Sequence, residues 1–443
     1  DLVRSRGLGD VYKRQAIVLF TILAFRGISA LIMGPLIALI VAILAGLPVY
    51  DSMLGPFMTS TSDYVKKYFF IFFLGALFGA IYETTGAAKS VALGIVRISK
   101  GKFTASIITL ITGILTFGGV SGFVVFFVIY PIALQLFREN NISRRILPGA
   151  ISAGCWTFSM IAPMSPSIQN VIASRELGTP IGSAMLPGIV ATIFEIVTIV
   201  LWLEYRTAAT KKKGQVFDDP SLTPLPKTEA VDMSVDKLPN FILSLIPILS
   251  IVLTFNLFPK VFKVETSVLL GTCLALIFFF NYIPGVGLHR IIAPLNKGGL
   301  NGASAIMNTA LVVGFGGVVQ KTSGFESLVK NVLSWKMDPL IFVAIAVAIC
   351  AGAVGSASGG LTIAFEALKD TFTSMGVNLA YVHRIGVIAA GTLDTLPHQG
   401  AQITLLNLCN LTHKEGYLDI FVTQIAIPII TLFVVIPMCM MGL

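Results

Sequence analysis

Long apolar blocks govern what this chain can become. Runs of about 17 to 25 hydrophobic residues recur along it, separated by short polar joints, and that is the length a helix needs to cross a hydrocarbon core of roughly 30 Å. Charged residues make up only 12% of the 443, against about 25% in soluble globular chains, which excludes an ordinary soluble enzyme. The excess of 31 Lys and Arg over 22 Asp and Glu calls for no nucleic-acid partner, because membrane proteins gather cations in cytoplasmic loops. The cysteines at 155, 273, 350, 409 and 439 stand far apart inside apolar blocks, without the spacing of a metal site or a redox dithiol, and read as small hydrophobes.

The opening fifteen residues, DLVRSRGLGDVYKRQ, are polar and basic and give way abruptly to an apolar run. They read as a non-native leader rather than a signal peptide, whose charges would precede a cleavable apolar core. The expected organisation is a first membrane repeat over 16–203, a cytoplasmic linker over 204–239 and a second membrane repeat over 240–443. Candidate segments are 16–25 (a remnant), 28–47, 68–82, 103–138, 144–173, 181–203, 240–257, 264–283, 301–319, 339–368, 383–411 and 418–441.

Four of these blocks are interrupted. Phe117-Gly-Gly-Val-Ser-Gly122 splits block 103–138, and Gly352-Ala-Val-Gly-Ser-Ala-Ser-Gly-Gly360 splits block 339–368. Arms of about 14 residues reach about 21 Å at 1.5 Å rise, short of a full span, so both blocks read as re-entrant hairpins. Ala162-Pro-Met-Ser-Pro-Ser167 and Asp394-Thr-Leu-Pro-His-Gln-Gly400 break blocks 144–173 and 383–411 into discontinuous helices.

The halves also match in sequence. Glu83-Thr-Thr-Gly86 resembles Lys321-Thr-Ser-Gly324, and at one constant offset Gly118, Ser121, Gly122, Asn141, Gly149, Ile151, Ala153 and Gly154 meet Gly355, Ser358, Gly359, Asn378, Gly386, Ile388, Ala390 and Gly391. The expected fold is an all-α polytopic membrane protein of two inverted-topology repeats, with about 10 transmembrane helices plus two hairpins and two discontinuous helices. Placing the linker inside and both termini outside puts most cations on the cytoplasmic side, as the positive-inside bias requires.

Half-helix ends brought toward a bilayer midplane make a binding site for a carboxylate, because free N–H groups and the positive end of a helix dipole point at it. The residues expected to bind substrate are Gly119, Ser121, Gly122, Ser165, Ser167, Asn170, Ser356, Ser358, Gly359, Thr362, Gln399 and Thr404. The competing reading is that Gly and Ser there simply permit tight helix packing. Asp394 and His398 are expected to carry a coupling proton; in the alternative, Asp394 caps a half-helix and His398 holds a carbonyl. Glu366 is a weaker proton-site candidate, Glu83 a membrane-edge residue and Glu195 a residue facing other helices. His289, His383 and His413 read as interfacial. No metal ligand set, HExxH, P-loop, GxSxG motif or dinucleotide fingerprint occurs, so no enzyme and no cofactor is expected.

Phe117-Gly-Gly-Val-Ser-Gly-Phe123, Gly355-Ser-Ala-Ser-Gly-Gly360, Leu393-Asp-Thr-Leu-Pro-His-Gln-Gly-Ala401 and Leu411-Thr-His-Lys-Glu-Gly-Tyr417 together resemble the gluconate permease (GntP) family of the ion transporter superfamily, from about residue 28 to the end. The nearest branch takes short hydroxy-carboxylates. The resemblance implies a proton symporter for a small organic anion such as 3-hydroxybutyrate or gluconate, multi-pass in a bacterial inner membrane, with lipid around it and a homodimer as the family expectation. A sodium-coupled carboxylate transporter or Na+/H+ antiporter of the same superfamily is the alternative. The gluconate branch carries a Tyr-Glu pair after the first hairpin break and a His-Pro-rich first broken helix. This chain has Gly122-Phe-Val-Val-Phe-Phe127 and Ala162-Pro-Met-Ser-Pro-Ser167 there, a less polar half that suits a smaller, less hydroxylated acid.

Overall fold

A computed structural model describes residues 30–99, 103–118, 120, 122–225, 238–323, 337–397 and 399–443. The expected leader, the remnant helix at 16–25, Gly119, Ser121, Gly324 and His398 fall outside these. The described residues form helices and turns, with no strand.

The first half runs α1 (Ala30–Leu44), α2 (Val49–Thr84), α3 (Ala87–Ser99), the hairpin α4 (Thr104–Phe117) and α5 (Gly122–Glu139), a broken helix α6 (Leu147–Trp156) and α7 (Ile168–Leu177), and α8 (Met185–Lys212). The second half runs α9 (Phe241–Leu257), α10 (Val264–Tyr282), α11 (Gly287–Val319), the hairpin α12 (Pro339–Val354) and α13 (Ala357–Ser374), a broken helix α14 (Leu379–Leu393) and α15 (Gly400–Leu408), and α16 (His413–Met440). Long helix, hairpin, broken helix and final helix therefore follow in the same order twice. By length and composition, five of the described helices suit a membrane crossing: α2, α8, α10, α11 and α16. The arms α4 and α12 and the half-helix α14 are shorter apolar pieces, as are α1 and α9.

Two expected boundaries move by many residues. α2 begins at Val49 rather than 68, and α11 at Gly287 rather than 301, because Thr59-Ser-Thr-Ser-Asp63 and Asn296-Lys297 dilute the hydropathy of turns that are nonetheless helical. α2 and α11 pack along their length as the central pair of the scaffold. Glycine makes the approach possible: a methyl group at Gly302 would come 2.9 Å from Phe73 Cα, and one at Gly314 would come 2.8 Å from the Phe57 carbonyl. α2 and α16 each contain a π-turn, Met53–Phe57 and Val422–Ala426, at or beside Pro56 and Pro428, whose missing N–H and bulky ring disturb the α ladder.

The linker expected over 204–239 starts later, since α8 continues to Lys212. Its first part is not simply solvated. Phe217 and Leu222 are buried, Arg144 Nη2 donates to the Thr223 carbonyl at 2.8 Å, and Thr223 N donates to Glu415 at 2.7 Å. The Ser221 hydroxyl and amide, at 2.6 and 2.9 Å, hold the Asp219 carboxyl below the usual carboxylate range, with burial opposing them and Arg145 at 3.6 Å assisting.

Each hairpin packs on the broken helix of its own half. Thr109 Oγ1 donates to the Ala150 carbonyl at 2.7 Å, and Gly352 lies against Leu393. The second half of each broken helix reaches the opposite hairpin, α7 lying on α13 and α15 touching α5. The two halves are thereby interleaved.

Candidate functional site

The four interruptions form one chain of contacts. A methyl group at Gly122, where α5 begins, would meet Trp156 Nε1 at 2.9 Å, and Trp156 ends α6 at the first break. Gly391, a non-helical kink at the end of α14, faces Met160 and the Trp156 carbonyl across the first break. Asp394, which follows α14, lies against the Ala357 amide at the start of α13, the second hairpin tip. A carboxylate there faces the positive end of a helix dipole.

The first break is longer than its proline-rich core. It opens at Thr157, whose φ of −123 and ψ of −112 are non-helical, makes one turn at Phe158–Ile161 and resumes at Ile168. Its polar side chains are engaged either with the end of α6, where Thr157 Oγ1 donates to the Ala153 carbonyl and Ser159 Oγ to the Gly154 carbonyl, both at 2.6 Å, or with the break itself. Ser165 Oγ donates to the Ser159 carbonyl at 2.7 Å, and Ser167 Oγ donates to the Met160 carbonyl at 2.8 Å while capping Asn170 N. Asn170 Nδ2 donates to the Met160, Ala162 and Ser165 carbonyls at 3.1, 3.0 and 3.3 Å.

His383 and Arg384 complete this lock. His383, expected at an interface, is fully buried, its ring 2.7 Å from Thr179 Oγ1 and 3.3 Å from Asn170 Oδ1. Arg384, not singled out at all, is also fully buried and directs all five N–H groups to oxygen: Ser183 and Ile181 carbonyls, the Ile161 carbonyl and Asn170 Oδ1 at 3.1 Å. Both sit in the first turns of α14, so the second broken helix holds the first one's unwound backbone. An arginine beside a histidine inside the apolar run Leu379-Ala-Tyr-Val-His-Arg-Ile385 was the available signal.

The second hairpin breaks only at Gly355 and Ser356, not over 352–360. Gly355 takes a positive φ of 63, Ser356 Oγ caps Gly359 N at 3.3 Å, and Ser358, Gly359 and Thr362 lie in the first turns of α13. Ser358 Oγ is 3.3 Å from Ser356 Oγ, and Tyr64 of α2 stands beside it; Thr362 Oγ1 is occupied by the Ser358 carbonyl at 2.9 Å.

The second break is far less self-contained. Its backbone is held from α16, by Tyr417 Oη donating to the Thr395 carbonyl at 2.8 Å and by His413 Nε2, 2.9 Å from the Pro397 carbonyl. Thr395 Oγ1 donates to Asp394 at 3.0 Å. Yet Gln399 and Gln402, both buried, keep their Oε1 atoms unpartnered among the described residues. α15 starts without a side-chain cap, and a Cβ at Gly400, its first position, would meet nothing within 4 Å among the described residues beyond its chain neighbours and its own helix. Gly400, Thr404 and Asn407 form an exposed face of α15.

Glu366 is paired with Lys67 at 3.1 Å, and Lys67 also meets Glu176 at 3.0 Å, so α13 and α7 are both tied to α2 by charge. Glu83 pairs with Lys297 at 2.8 Å at the exposed ends of α2 and α11. Among the described residues no group of His, Cys, Asp and Glu is arranged to hold a metal ion. Two clefts lie away from the breaks: one of about 140 Å³ lined by Asn140, Ser143 and Glu204, and an apolar groove between α2 and α11 at Phe73 and Leu295.

The family model for the GntP family permeases matches residues 14–393. An uncharacterized transporter, YxjC, of Bacillus subtilis (strain 168) is 32% identical over 451 residues, covering 91% of this chain and 93% of the relative. An uncharacterized transporter of Haemophilus influenzae is 23% identical over 332 residues, 73% of each chain. Among solved structures, the Alcanivorax borkumensis YdaH transporter, described as having an unusual topology, superposes with a TM-score of 0.59 at 11% identity, covering 94% of this chain and 96% of that one. That likeness concerns the fold alone.

Proposed function

The chain belongs to the GntP permease family and is a multi-pass membrane transporter, not an enzyme; on that premise we propose that it takes up a small hydroxy-monocarboxylate of the 3-hydroxybutyrate kind together with a proton, across a bacterial cytoplasmic membrane. The observation that carries this reading is the bare amino end of α15 at the second break, where the first N–H groups have no side-chain cap and open space lies at Gly400. Such an end holds one carboxylate through N–H donors and dipole. Thr404 and Ser358 supply hydroxyls for the substrate's own hydroxyl group.

Proton rather than fixed-charge compensation is supported by how Arg384, the fully buried cation at the breaks, is used. Arg384 has no N–H left for a substrate. An anion entering against a negative-inside potential then needs a mobile positive charge, and Asp394, buried beside the hairpin tip, is the acceptor for it. The two halves act as inverted repeats in this reading, presenting the break alternately to each side.

One observation favours the sodium alternative: Gln399 and Gln402 leave buried amide oxygens open, and an oxygen-only ligand set suits a hard cation. Purified protein in proteoliposomes separates the two. Labelled 3-hydroxybutyrate is expected to accumulate under an inward proton gradient with sodium absent, with gluconate a weaker substrate. Accumulation that requires a sodium gradient and ignores pH overturns proton coupling, and failure to accumulate any of 3-hydroxybutyrate, gluconate and lactate overturns the substrate class.

A further inference from the structure

We propose that Glu195 is a second proton-binding site of the transport cycle, protonated in the conformation described here and able to release its proton to water when the seam between α8 and α16 opens. The inference rests on the transporter reading for its role, but on the geometry of Glu195 for its protonation.

Glu195 lies in the middle of α8 and is fully buried, and neither carboxyl oxygen has a hydrogen-bond partner among the described residues. Its neighbour across the seam is Thr431 of α16, whose hydroxyl is already donated to the Ile427 carbonyl at 3.0 Å. An ionised carboxylate in such a place costs several kcal/mol that nothing nearby returns, so the group there is the neutral acid.

Charges on the elements packed against α8 are committed elsewhere. Asp419 of α16 is taken by Arg206 at 2.7 Å and Trp202 at 2.9 Å, and Arg206 lies about 16 Å further along α8. Arg144 and Arg145, on the turn before α6, are bound to the linker at Thr223 and Ser221. Arg384 is spent on the first break, and α4 and the Phe158–Ile161 turn carry no ionisable side chain. Ser106 of α4 meets Glu204 near the far end of α8. Among the described residues Glu195 is therefore an isolated acid.

The same face of α8 connects it to the working parts. Two turns earlier, about 10 Å along the helix, Gly188 backs directly onto Pro163 of the first break and the Arg384 guanidinium. A shift of the broken helices against α8 and α16 thus acts on the seam that seals Glu195. Opening lets water reach the carboxyl; the O–H bond breaks, the proton passes to water and the carboxylate is left solvated, with no change of oxidation state.

The test uses the full chain in proteoliposomes and dicyclohexylcarbodiimide, which modifies protonated carboxyls in apolar surroundings. Mass spectrometry is expected to find the adduct on Glu195, decreasing as pH is raised into the alkaline range. Since each proton moved down a one-unit pH gradient supports about tenfold accumulation, Glu195→Gln is expected to lower proton-driven accumulation by about tenfold while sparing counterflow exchange, and Glu195→Asp to restore part of it. Wild-type protein left unlabelled at Glu195 at every pH overturns the proposal, as does a Glu195→Gln variant that accumulates substrate like wild type. If the Gln variant does not fold, wild-type labelling still decides. Should wild type show no proton-driven uptake of any acid tested, the functional reading falls, whereas the pH-dependent adduct continues to report the proton site.

Discussion

The two broken helices do the same thing to the backbone and opposite things with their polar groups. In the first break, Ser165, Ser167, Asn170 and the intruding Arg384, which donates to the Ile161 carbonyl, satisfy the carbonyls that unwinding exposes. In the second, Gln399 and Gln402 keep open acceptors, α15 begins uncapped, and the supports come from α16. Unwound backbone at membrane depth must be satisfied by something. The first break is closed by its own side chains together with Arg384 and Asn256 from the second half, while the second keeps open acceptors among the described residues. On the proposed transport reading, the contrast assigns support to the first and recognition to the second.

The largest effect belongs to the lock. Arg384→Ala removes donors from buried oxygens that each cost about 1–3 kcal/mol when left unpaired, so loss of a monodisperse folded peak after detergent extraction is expected. Arg384→Lys brings only a point charge with three donors and is expected to recover little. A stable, transport-competent alanine variant would erase the distinction between the breaks. At the second break the loss falls on transport rather than on the fold. Asp394→Asn is expected to keep the fold and counterflow exchange but to abolish proton-driven accumulation, read with a pH jump in proteoliposomes; unaltered accumulation removes Asp394 from coupling.

A pair of glycines sharpens the comparison further. A methyl group at Gly154, in α6, would lie 2.0 Å from Thr112 Oγ1 and 2.1 Å from the Thr109 carbonyl, so Gly154→Ala is expected to lower thermal stability sharply. Gly400 has open space instead. Gly400→Val is expected to fold normally and to weaken substrate binding by about tenfold, or ~1.4 kcal/mol, measured as a displaced binding isotherm. Ser358→Ala should weaken binding by less. If Gly400→Val binds like wild type, the carboxylate does not sit on the amino end of α15.

The all-helical, interrupted, multi-pass character was legible because it is written in apolar length and in clustered Gly, Ser and Pro. What those clusters were for was less legible. Gly360 was read as part of an unwound tip, yet it is helical and small because a methyl group there would come 2.2 Å from Ala351 Cα. Glycine marks both broken and tightly packed backbone, and sequence alone does not separate the two. The extra turns of α2 and α11 were hidden by polar residues such as Ser62, Asp63, Asn296 and Lys297, which are exposed and lower the hydropathy although the helix continues through them. His383 is expected at an interface and Arg384 is not singled out, because the oxygens that face them inside the fold are not visible in sequence.

The smallest expected effect is also the most discriminating. Ser167 was a candidate substrate ligand by composition, but its hydroxyl bridges the Met160 carbonyl and the Asn170 amide as an N-cap. Ser167→Ala should therefore cost about 1 kcal/mol, the usual loss of a cap, seen as a modest fall in melting temperature. The substrate concentration for half-maximal uptake should stay at the wild-type value, because the hydroxyl's proton is committed to the Met160 carbonyl and it is tied to the Asn170 amide within the break. Thr404→Ala in α15 should do the reverse: its hydroxyl returns only to the Gly400 carbonyl at 2.8 Å on an exposed face, so stability should hold while uptake affinity falls. A Ser167→Ala variant with wild-type stability and impaired uptake would move the first break from the frame of the transporter into its binding site.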